Sequence, residues 1–306
     1  MNNLQTHIDN YLNHCAHHKM LNSKTIKAYR IDLEQFYCHI SNIDIMQITP
    51  QMLENYISKL HCTYKPKTVK RKIASLKAFF HYLEFRDYII HNPFNKIQVK
   101  FREPFILPKT IPLNTVEALL STIYIQCNNA KTAFQRKNAL RDVAVMELLF
   151  ATGIRISELC SLKMNDINLY DRTVLIYGKG SKERKLQIGN DDVLAILQKY
   201  KASFLPDIQN ADHFFVNQSG TPLSDQAVRR AINKYSSLAA IELHITPHMF
   251  RHTFATSLLE ADVDIRYIQE MLGHSSINIT EIYTHVAMSK QRDILTTKHP
   301  RKNFYL

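Results

Sequence analysis

Residues 173–188 of this 306-residue chain read TVLIYGKGSKERKLQI, and this stretch decides the fold class. Thr173–Tyr177 and Arg184–Ile188 are short runs of the β type, and the glycine-bearing segment Gly178–Glu183 between them favours a turn. The stretch therefore predicts a β-hairpin. The sequence on both sides of it has helical spacing, so we predict a mainly α fold with one small antiparallel sheet in its C-terminal part.

Helices are predicted on both sides of the hairpin. Ala139–Ala151 is apolar on most of its sides, which indicates a buried helix that ends at Gly153. Thr246-Pro247 is a typical helix start because proline suits the first helical position. The apolar stripe of that helix is supplied by Phe250, Phe254 and Leu258. Together with the hairpin, these helices predict an α+β domain.

The first hundred residues show helical patterns. Apolar residues recur at steps of three and four after Ser23, a candidate N-cap, and again after Pro66. They are Ile26, Tyr29, Leu33, Phe36 and Ile40 in the first helix, and Val69, Ile73, Leu76, Phe80 and Leu83 in the second. Asn92-Pro93 ends this helical region, which predicts an all-helical N-terminal domain.

Prolines mark a boundary after that region. Pro104, Pro108 and Pro112 resist helix formation and indicate an extended linker. We therefore predict an all-helical domain at residues 1–103, a linker at 104–112 and the α+β domain at 113–306, with the boundary near residue 105.

The charge of the chain indicates a polyanionic partner. The net charge is +12 and the pI is about 9.4, which points to nucleic acid or an anionic membrane surface. The membrane is the weaker reading, because Asp142 and Glu147 interrupt the most apolar segment. Met1–Asn10 lacks the pattern of an export signal, so we expect a cytoplasmic protein.

The positive charge is concentrated in the N-terminal domain. Residues 1–100 carry 14 Lys and Arg against 7 Asp and Glu, whereas the other 206 residues carry 25 against 20. Residues 65–83 contain six positive residues and no acid: Lys65, Lys67, Lys70, Arg71, Lys72 and Lys77. A solvated helix face is the ordinary explanation. The uneven charge favours contact with a phosphate backbone, for which the candidates are Lys65, Lys67, Lys70, Arg71 and Lys77.

Cysteine and histidine usage predicts neither a disulfide nor a metal site. The five cysteines are scattered without a CxxC pair, as is typical of reduced thiols. His14, Cys15, His17 and His18 cluster, but no HExxH-like motif follows and a solvated helix face explains them more simply. We therefore predict no cofactor and no metal.

Six residues could together break a phosphodiester without a metal. Such a reaction needs arginines for the phosphate oxygens, a proton donor for the leaving oxygen and a proton acceptor for the attacking hydroxyl. The candidates are Arg155, Lys179, His248, Arg251, His274 and Tyr283. Each also has an ordinary explanation, since Arg155 could pair with Glu158 and Tyr283 is one of 15 tyrosines.

Five segments, in order along the chain, resemble the tyrosine recombinases of the phage integrase family. They are Ala151–Leu159, Gly178–Arg184, His248–Thr256, Leu272–Ser276 and Ile282–His285. Asn22–Phe36 and Lys67–Phe94 resemble the core-binding domain of the Xer branch, as does the tail at His299-Pro300-Arg301. The resemblance therefore covers both predicted domains.

The resemblance implies roles for the six candidates. Arg155 and Arg251 would clamp the scissile phosphate, and Lys179, with Lys182 as its rival, would protonate the leaving hydroxyl. His248 would act as general acid and base, and His274 would support the phosphate or the nucleophile. Tyr283 would form a covalent phosphotyrosyl bond, and rejoining would need no ATP.

The resemblance also implies the partners. They are double-stranded DNA with a specific core site and further recombinase protomers, in a homo- or hetero-tetramer on two DNA sites. Ile294 and Leu295 would dock on a neighbour as part of a C-terminal exchange segment. The task would be chromosome-dimer resolution or integration and excision of a mobile element.

The sequence departs from the Xer pattern at two places, and two functions other than recombination remain possible. Ser257 stands where Xer proteins often have histidine, and the polar stretch Ile123–Lys137 is predicted to be an added loop. A type IB topoisomerase shares the catalytic residue types. A catalytically inactive DNA-binding regulator would share the fold, although every catalytic position is present here.

Overall fold

The protein is described from a computed structural model that covers residues 4–40, 43–99, 108–178 and 183–273. The chain divides into two compact units, Met1–Phe105 and Ile106–Leu306. The predictions for Lys179, His274 and Tyr283 fall outside the described residues, as do those for Lys182, Ile294 and Leu295.

The N-terminal unit is a small helical bundle. Its helices are α1 (Leu4–His17), α2 (Ser23–Ile40), α3 (Pro50–Thr63) and α4 (Pro66–Phe85), with single 3-10 turns at Ile45–Gln47 and Pro93–Lys96. The predicted apolar stripe of α4 is confirmed, because all five of its members are buried. Ring contacts between α1, α2 and α4 fill the core, as between Tyr11 and Phe79 and between Phe36 and Phe80.

The predicted N-cap of α2 is wrong by one residue. Ser23 is the first helical residue, and the side chain of Asn22 accepts a hydrogen bond from the backbone N–H of Lys24 at 2.9 Å. Asn22 therefore caps the helix, because it accepts a hydrogen bond from one of the N–H groups that lack an intrahelical partner at a helix start.

Lys72 lies inside the bundle and is not part of the basic helix face. Its side chain is 3% exposed and its Nζ donates to Asp32 Oδ1 at 2.9 Å and to Gln35. The other carboxylate oxygen of Asp32 contacts Arg71. The Asp32 side chain is fully buried, whereas that of Arg71 is partly exposed. The basic pattern therefore contains both exposed lysines and one buried, paired lysine. The spacing alone does not separate them, because it does not show that α2 supplies a buried carboxylate.

Asp32→Asn is expected to destabilise the protein strongly. The substitution keeps the shape of the side chain but leaves the buried Lys72 ammonium without its counter-ion, at a cost of about 3 kcal/mol in free energy of unfolding. The matched control is Asp9→Asn, which breaks an exposed pair with Arg30 at 3.5 Å and should cost less than about 1 kcal/mol. Equal losses in urea titrations would contradict the role given to burial.

The C-terminal unit combines seven helices among its described residues with one three-stranded sheet. The helices are α5 (Leu113–Asn128), α6 (Ala133–Thr152), α7 (Ile156–Ser161), α8 (Asp191–Ala211), α9 (Asp225–Leu238), α10 (Pro247–Glu260) and α11 (Ile265–Leu272). The strands are β1 (Ile167–Asn168), β2 (Thr173–Tyr177) and β3 (Glu183–Gln187), all antiparallel in the order β1-β2-β3. The predicted fold class is confirmed.

The hairpin is confirmed with small changes in its limits. Thr173 pairs with Gln187 and Tyr177 with Glu183, so β3 begins and ends one residue earlier than predicted. β1 was not predicted, because a strand of two residues has no alternation to recognise. The hairpin places Arg184 near the start of β3.

The stretch Ile123–Lys137 is mostly helical, so the prediction of an added loop is wrong. It contains the end of α5 and the start of α6, with only residues 129–132 between them. Thr132 and Gln135 form a capping box that starts α6 despite the polar sequence. Its polar residues face solvent at the exposed end of a helix that becomes buried further along.

Gly153 ends α6 as predicted, in the left-handed conformation with φ of 59°. A Cβ at this position would lie 2.6 Å from Cδ1 of Phe254 in α10, so glycine is also required by packing. The predicted start of α10 at Pro247 is confirmed. In the described part of the chain, no helix is long and apolar enough to cross a membrane.

Candidate active site

Arg155 directly follows the Gly153-Ile154 turn and precedes α7. Its backbone N–H donates to Glu158 Oε2 at 3.0 Å, and its Nη1 donates to Glu158 Oε1 at 2.7 Å. The side chain is 33% exposed. The ion pair considered as an ordinary explanation is therefore present, and the guanidinium still reaches the surface.

Arg184 holds the same carboxylate from the sheet. Its Nη2 donates to Glu158 Oε2 at 2.7 Å and its Nη1 to Glu158 Oε1 at 3.1 Å, while its Nε donates to the carbonyl of Met271 at 2.9 Å. The Arg184 side chain is only 9% exposed. Sequence reasoning gave Arg184 no role, since nothing local indicates a partner 26 residues away.

Arg251 projects from α10 into the interior and is 4% exposed. Its Nη1 donates to the carbonyl of Gly153 at 2.9 Å, and its Nη2 donates to the carbonyl of Leu272 at 2.6 Å. The structure therefore brings together three segments that are distant in sequence: the turn before Arg155, the first half of α10 and the end of α11.

We call Arg155, Arg184, Arg251 and Glu158 the arginine cluster. Burial alone would raise the pKa of Glu158, but the hydrogen bonds and charges of Arg184 and Arg155 hold it below its ordinary value. Glu158 is therefore a carboxylate at neutral pH, held between the guanidinium groups of Arg155 and Arg184. The excess positive charge suits this cluster to bind an anion such as a phosphate.

Two histidines lie on the first turns of α10. His248 is exposed, and His252 is half-buried one turn further along. Burial, followed by the proximity of His248 and Arg251, lowers the pKa of His252 to about 4. His252 is therefore neutral at pH 7. Sequence reasoning missed it, because the pattern does not show how deeply this ring is buried.

The low pKa of His252 predicts acid sensitivity. An unfolded histidine binds its proton near pH 6.5, so the unfolded state binds more protons than the folded state between about pH 6.5 and 4. The contribution of a neutral His252 to stability is therefore complete above about pH 6.5 and is lost as the pH falls to about 4.

The free energy of unfolding of the native protein should fall between about pH 7 and 4.5. In the His252→Gln variant this fall should be smaller by about 2 kcal/mol, after allowance for solvent at this half-buried ring. The measurement is urea unfolding at both pH values. His244→Gln, at an exposed histidine of the same unit, is the control. Identical pH dependence of the His252→Gln variant and the native protein would contradict the assignment.

The candidate DNA-binding residues lie on one helix. Lys65 directly precedes α4, and Lys67, Lys70, Arg71 and Lys77 are exposed on it. Lys67, Lys70 and Lys77 share one stripe, since their spacing of three and seven residues returns to the same side of a helix. Arg71 differs from these lysines, because Asp32 offsets part of its charge.

A polar cleft of about 910 Å³ lies elsewhere in the C-terminal unit, between α6 and α9. At its floor Tyr235 donates to Asp142 Oδ2 at 3.0 Å, and Arg141 donates to Asp142 Oδ1 at 2.7 Å. These buried groups are paired with one another, and the lining contains no member of the arginine cluster. We therefore place the candidate active site at the arginine cluster.

Two family models match this chain. The model of the phage integrase family matches residues 114–290, and that of the phage integrase N-terminal SAM-like domain matches residues 8–86. A tyrosine recombinase of Agathobacter rectalis is 69% identical over 305 residues and covers 100% of both chains. Tyrosine recombinase XerD of Listeria monocytogenes is 36% identical, over 96% of this chain and 98% of its own.

The fold has counterparts among solved structures. XerH site-specific recombinase bound to a palindromic difH substrate is similar with a TM-score of 0.74, at 24% identity, over 89% of this chain and 79% of its own. A lambda integrase fragment, residues 75–356, bound as a dimer to a COC′ core site has a TM-score of 0.70 at 18% identity, over 92% of this chain and 95% of its own.

Proposed function

This chain belongs to the phage integrase family and is an Xer-like tyrosine site-specific recombinase, and we propose that it cuts and rejoins DNA through a covalent bond to Tyr283. The observation that carries the proposal is the arginine cluster. Arg155 and Arg251 come from separate helical segments, yet Arg251 holds the Gly153 carbonyl two residues before Arg155. Such a fixed pair of guanidinium groups suits a phosphate clamp.

The proposed reaction exchanges one phosphorus–oxygen bond for another. The Tyr283 oxygen attacks phosphorus while the bond to the deoxyribose oxygen breaks. His248 accepts the tyrosine proton and Lys179 donates a proton to the leaving oxygen, while His274 supports the phosphate or the nucleophile. The reverse steps, with a hydroxyl of another strand as the nucleophile, rejoin the DNA. The bond energy is retained in the covalent intermediate, so rejoining needs no ATP. The arginines neutralise the phosphate, which is the role a metal ion would otherwise fill.

DNA itself should activate the nucleophile. A free tyrosine has a pKa of about 10, so its ionisation at neutral pH costs about 4 kcal/mol. The arginine cluster offsets part of this cost once a phosphate draws the groups together. We therefore propose that Tyr283 is unreactive in the free protein and reactive on bound DNA.

The exposed stripe of α4 is the proposed contact to the phosphate backbone of a specific core site. Lys67→Gln/Lys70→Gln is expected to lower the slope of log affinity against log salt by about 2, because each lost phosphate contact removes about 0.9. DNA binding is measured by fluorescence anisotropy across salt concentrations. The control is Lys96→Gln, at an exposed lysine outside α4. An unchanged slope in the double variant would show that DNA binds elsewhere.

The active assembly is proposed to be a tetramer on two DNA sites, with Ile294 and Leu295 docking on a neighbouring protomer. A lambda integrase tetramer bound to a Holliday junction shares the fold at 18% identity. We place the protein in the cytoplasm. Its task is chromosome-dimer resolution or movement of a mobile element.

Strand exchange distinguishes the proposal from its alternatives. The native protein is incubated with two labelled duplexes that carry the native flanking site, and recombinant duplexes are expected only when both sites match. Relaxation of supercoiled plasmid without dependence on sequence would indicate a topoisomerase. Specific binding with neither cleavage nor exchange would indicate a DNA-binding regulator.

A further inference from the structure

Arg184 is the residue that connects three segments of the candidate site. It lies in β3, directly after the hairpin segment that contains Lys179. Two of its nitrogens donate to the carboxylate of Glu158, which also holds Arg155, and the third donates to the carbonyl of Met271 at 2.9 Å. One buried side chain thus contacts the Arg155 segment from the sheet and reaches the end of α11.

The end of α11 is held by two arginines. The last carbonyls of a helix have no intrahelical partner. Here Arg184 binds the carbonyl of Met271, and Arg251 binds that of Leu272. Gly273 follows with φ of 63°, and a Cβ there would lie 3.1 Å from Arg184 Cδ. Glycine is therefore required here both by the left-handed backbone and by the close approach of Arg184.

Arg184 also sets the charge that a phosphate would meet. Without it, Arg155 and Glu158 would form a neutral pair, and the Glu158 carboxylate would repel an incoming phosphate. With Arg184 present, the carboxylate is shared between two guanidinium groups and the three residues keep one net positive charge. The side chain is only 9% exposed, so water screens this effect weakly.

We propose that Arg184 is a positioning residue for DNA cleavage, which holds the Arg155 segment and the end of α11 in place and neutralises Glu158 so that Arg155 remains available to the phosphate. The proposal rests on the proposed function. It extends that function, because Arg184 acts through Arg155 and the end of α11.

The test measures single-turnover cleavage of a nicked DNA substrate at saturating protein, together with DNA affinity. Arg184→Gln is expected to cleave about 100-fold more slowly, because misplaced catalytic groups lose roughly this factor, while DNA affinity changes less than about threefold. The matched control is Arg172→Gln, which removes an exposed arginine paired with Asp191 just before β2 and should cleave at the native rate.

The double variant Arg184→Gln/Glu158→Gln separates this role from a simple loss of packing. It removes the carboxylate that would otherwise neutralise Arg155, so it should cleave about 10-fold faster than Arg184→Gln alone, in proportion to a restored positive charge beside the phosphate. Loss of packing alone predicts that the double variant is as slow or slower. If Arg184→Gln does not fold, Arg184→Lys retains the charge, loses the bond to Met271 and should still be about 10-fold slower.

The outcomes are distinct. If the native protein forms no covalent adduct, the proposed function fails and the role of Arg184 fails with it. If the native protein forms the adduct and Arg184→Gln cleaves as fast as Arg172→Gln, the role of Arg184 alone is overturned. A double variant that is as slow as Arg184→Gln, or slower, also overturns it.

Discussion

Tyr283→Phe is expected to lower covalent adduct formation with nicked DNA by more than about 10⁴-fold, to the detection limit of the gel, because a phenyl ring has no oxygen to bond with phosphorus. DNA affinity should change little, since one hydroxyl contributes little beside many phosphate contacts. The measurement is denaturing gel electrophoresis of labelled DNA after incubation with native or variant protein.

The matched control is Tyr267→Phe, at an exposed tyrosine of α11. It should form adduct at the native rate. An equal adduct yield from Tyr283→Phe and the native protein would place the nucleophile at another residue, and loss of DNA binding in the Tyr283→Phe variant would show that the substitution acts on binding.

Arg251→Lys is expected to slow cleavage by about 10³-fold, the second largest effect. The guanidinium binds the carbonyls of Gly153 and Leu272 at 2.9 Å and 2.6 Å and is proposed to bind phosphate as well. An ammonium group keeps the charge but cannot span two carbonyls on opposite segments. Cleavage should therefore fall much more than DNA affinity, which is measured on the same substrate.

Arg266→Lys is the control for this substitution, because Arg266 is exposed on α11. It should leave the cleavage rate unchanged. Cleavage by Arg251→Lys within about threefold of the native rate would show that positive charge alone is needed at this position. It would contradict the proposal that the guanidinium binds both carbonyls and the phosphate.

The elements that could be predicted from the sequence are those whose signals are local. The α4 stripe, the Gly153 stop and the Pro247 start each depend on residues of a single helix or its ends, and all are confirmed. The stretch Ile123–Lys137 was predicted to be a loop because it is polar. That prediction is wrong because the capping box at Thr132 starts a helix there. Polar residues form helices readily where one end is solvated.

Long-range pairing explains the remaining failures. Lys72 follows the same local pattern as Lys70, yet Asp32 lies 40 residues earlier and draws Lys72 into the core. The contact of Arg184 with Met271 spans 87 residues. No periodicity encodes such partners, because they depend on how the helices and the sheet pack.

The candidate site was found by motif and extended by geometry. Arg155, His248 and Arg251 were named from sequence, and their catalytic roles stay predictions, as do those of Lys179, His274 and Tyr283. The structure shows the Arg155–Glu158 pair that the sequence offered, adds Arg184 as a second partner of Glu158 and shows that His252 has a lowered pKa. These additions required the arrangement of α7, β3, α10 and the end of α11 in space.

The most direct test of the central claim is to identify the residue that carries the DNA. The native protein is trapped on nicked DNA and digested with nuclease and trypsin, and the peptide that retains a nucleotide is sequenced by tandem mass spectrometry. We predict that the modification lies on Tyr283. A nucleotide on any other residue, or no modified peptide from protein that binds the site, would contradict the account.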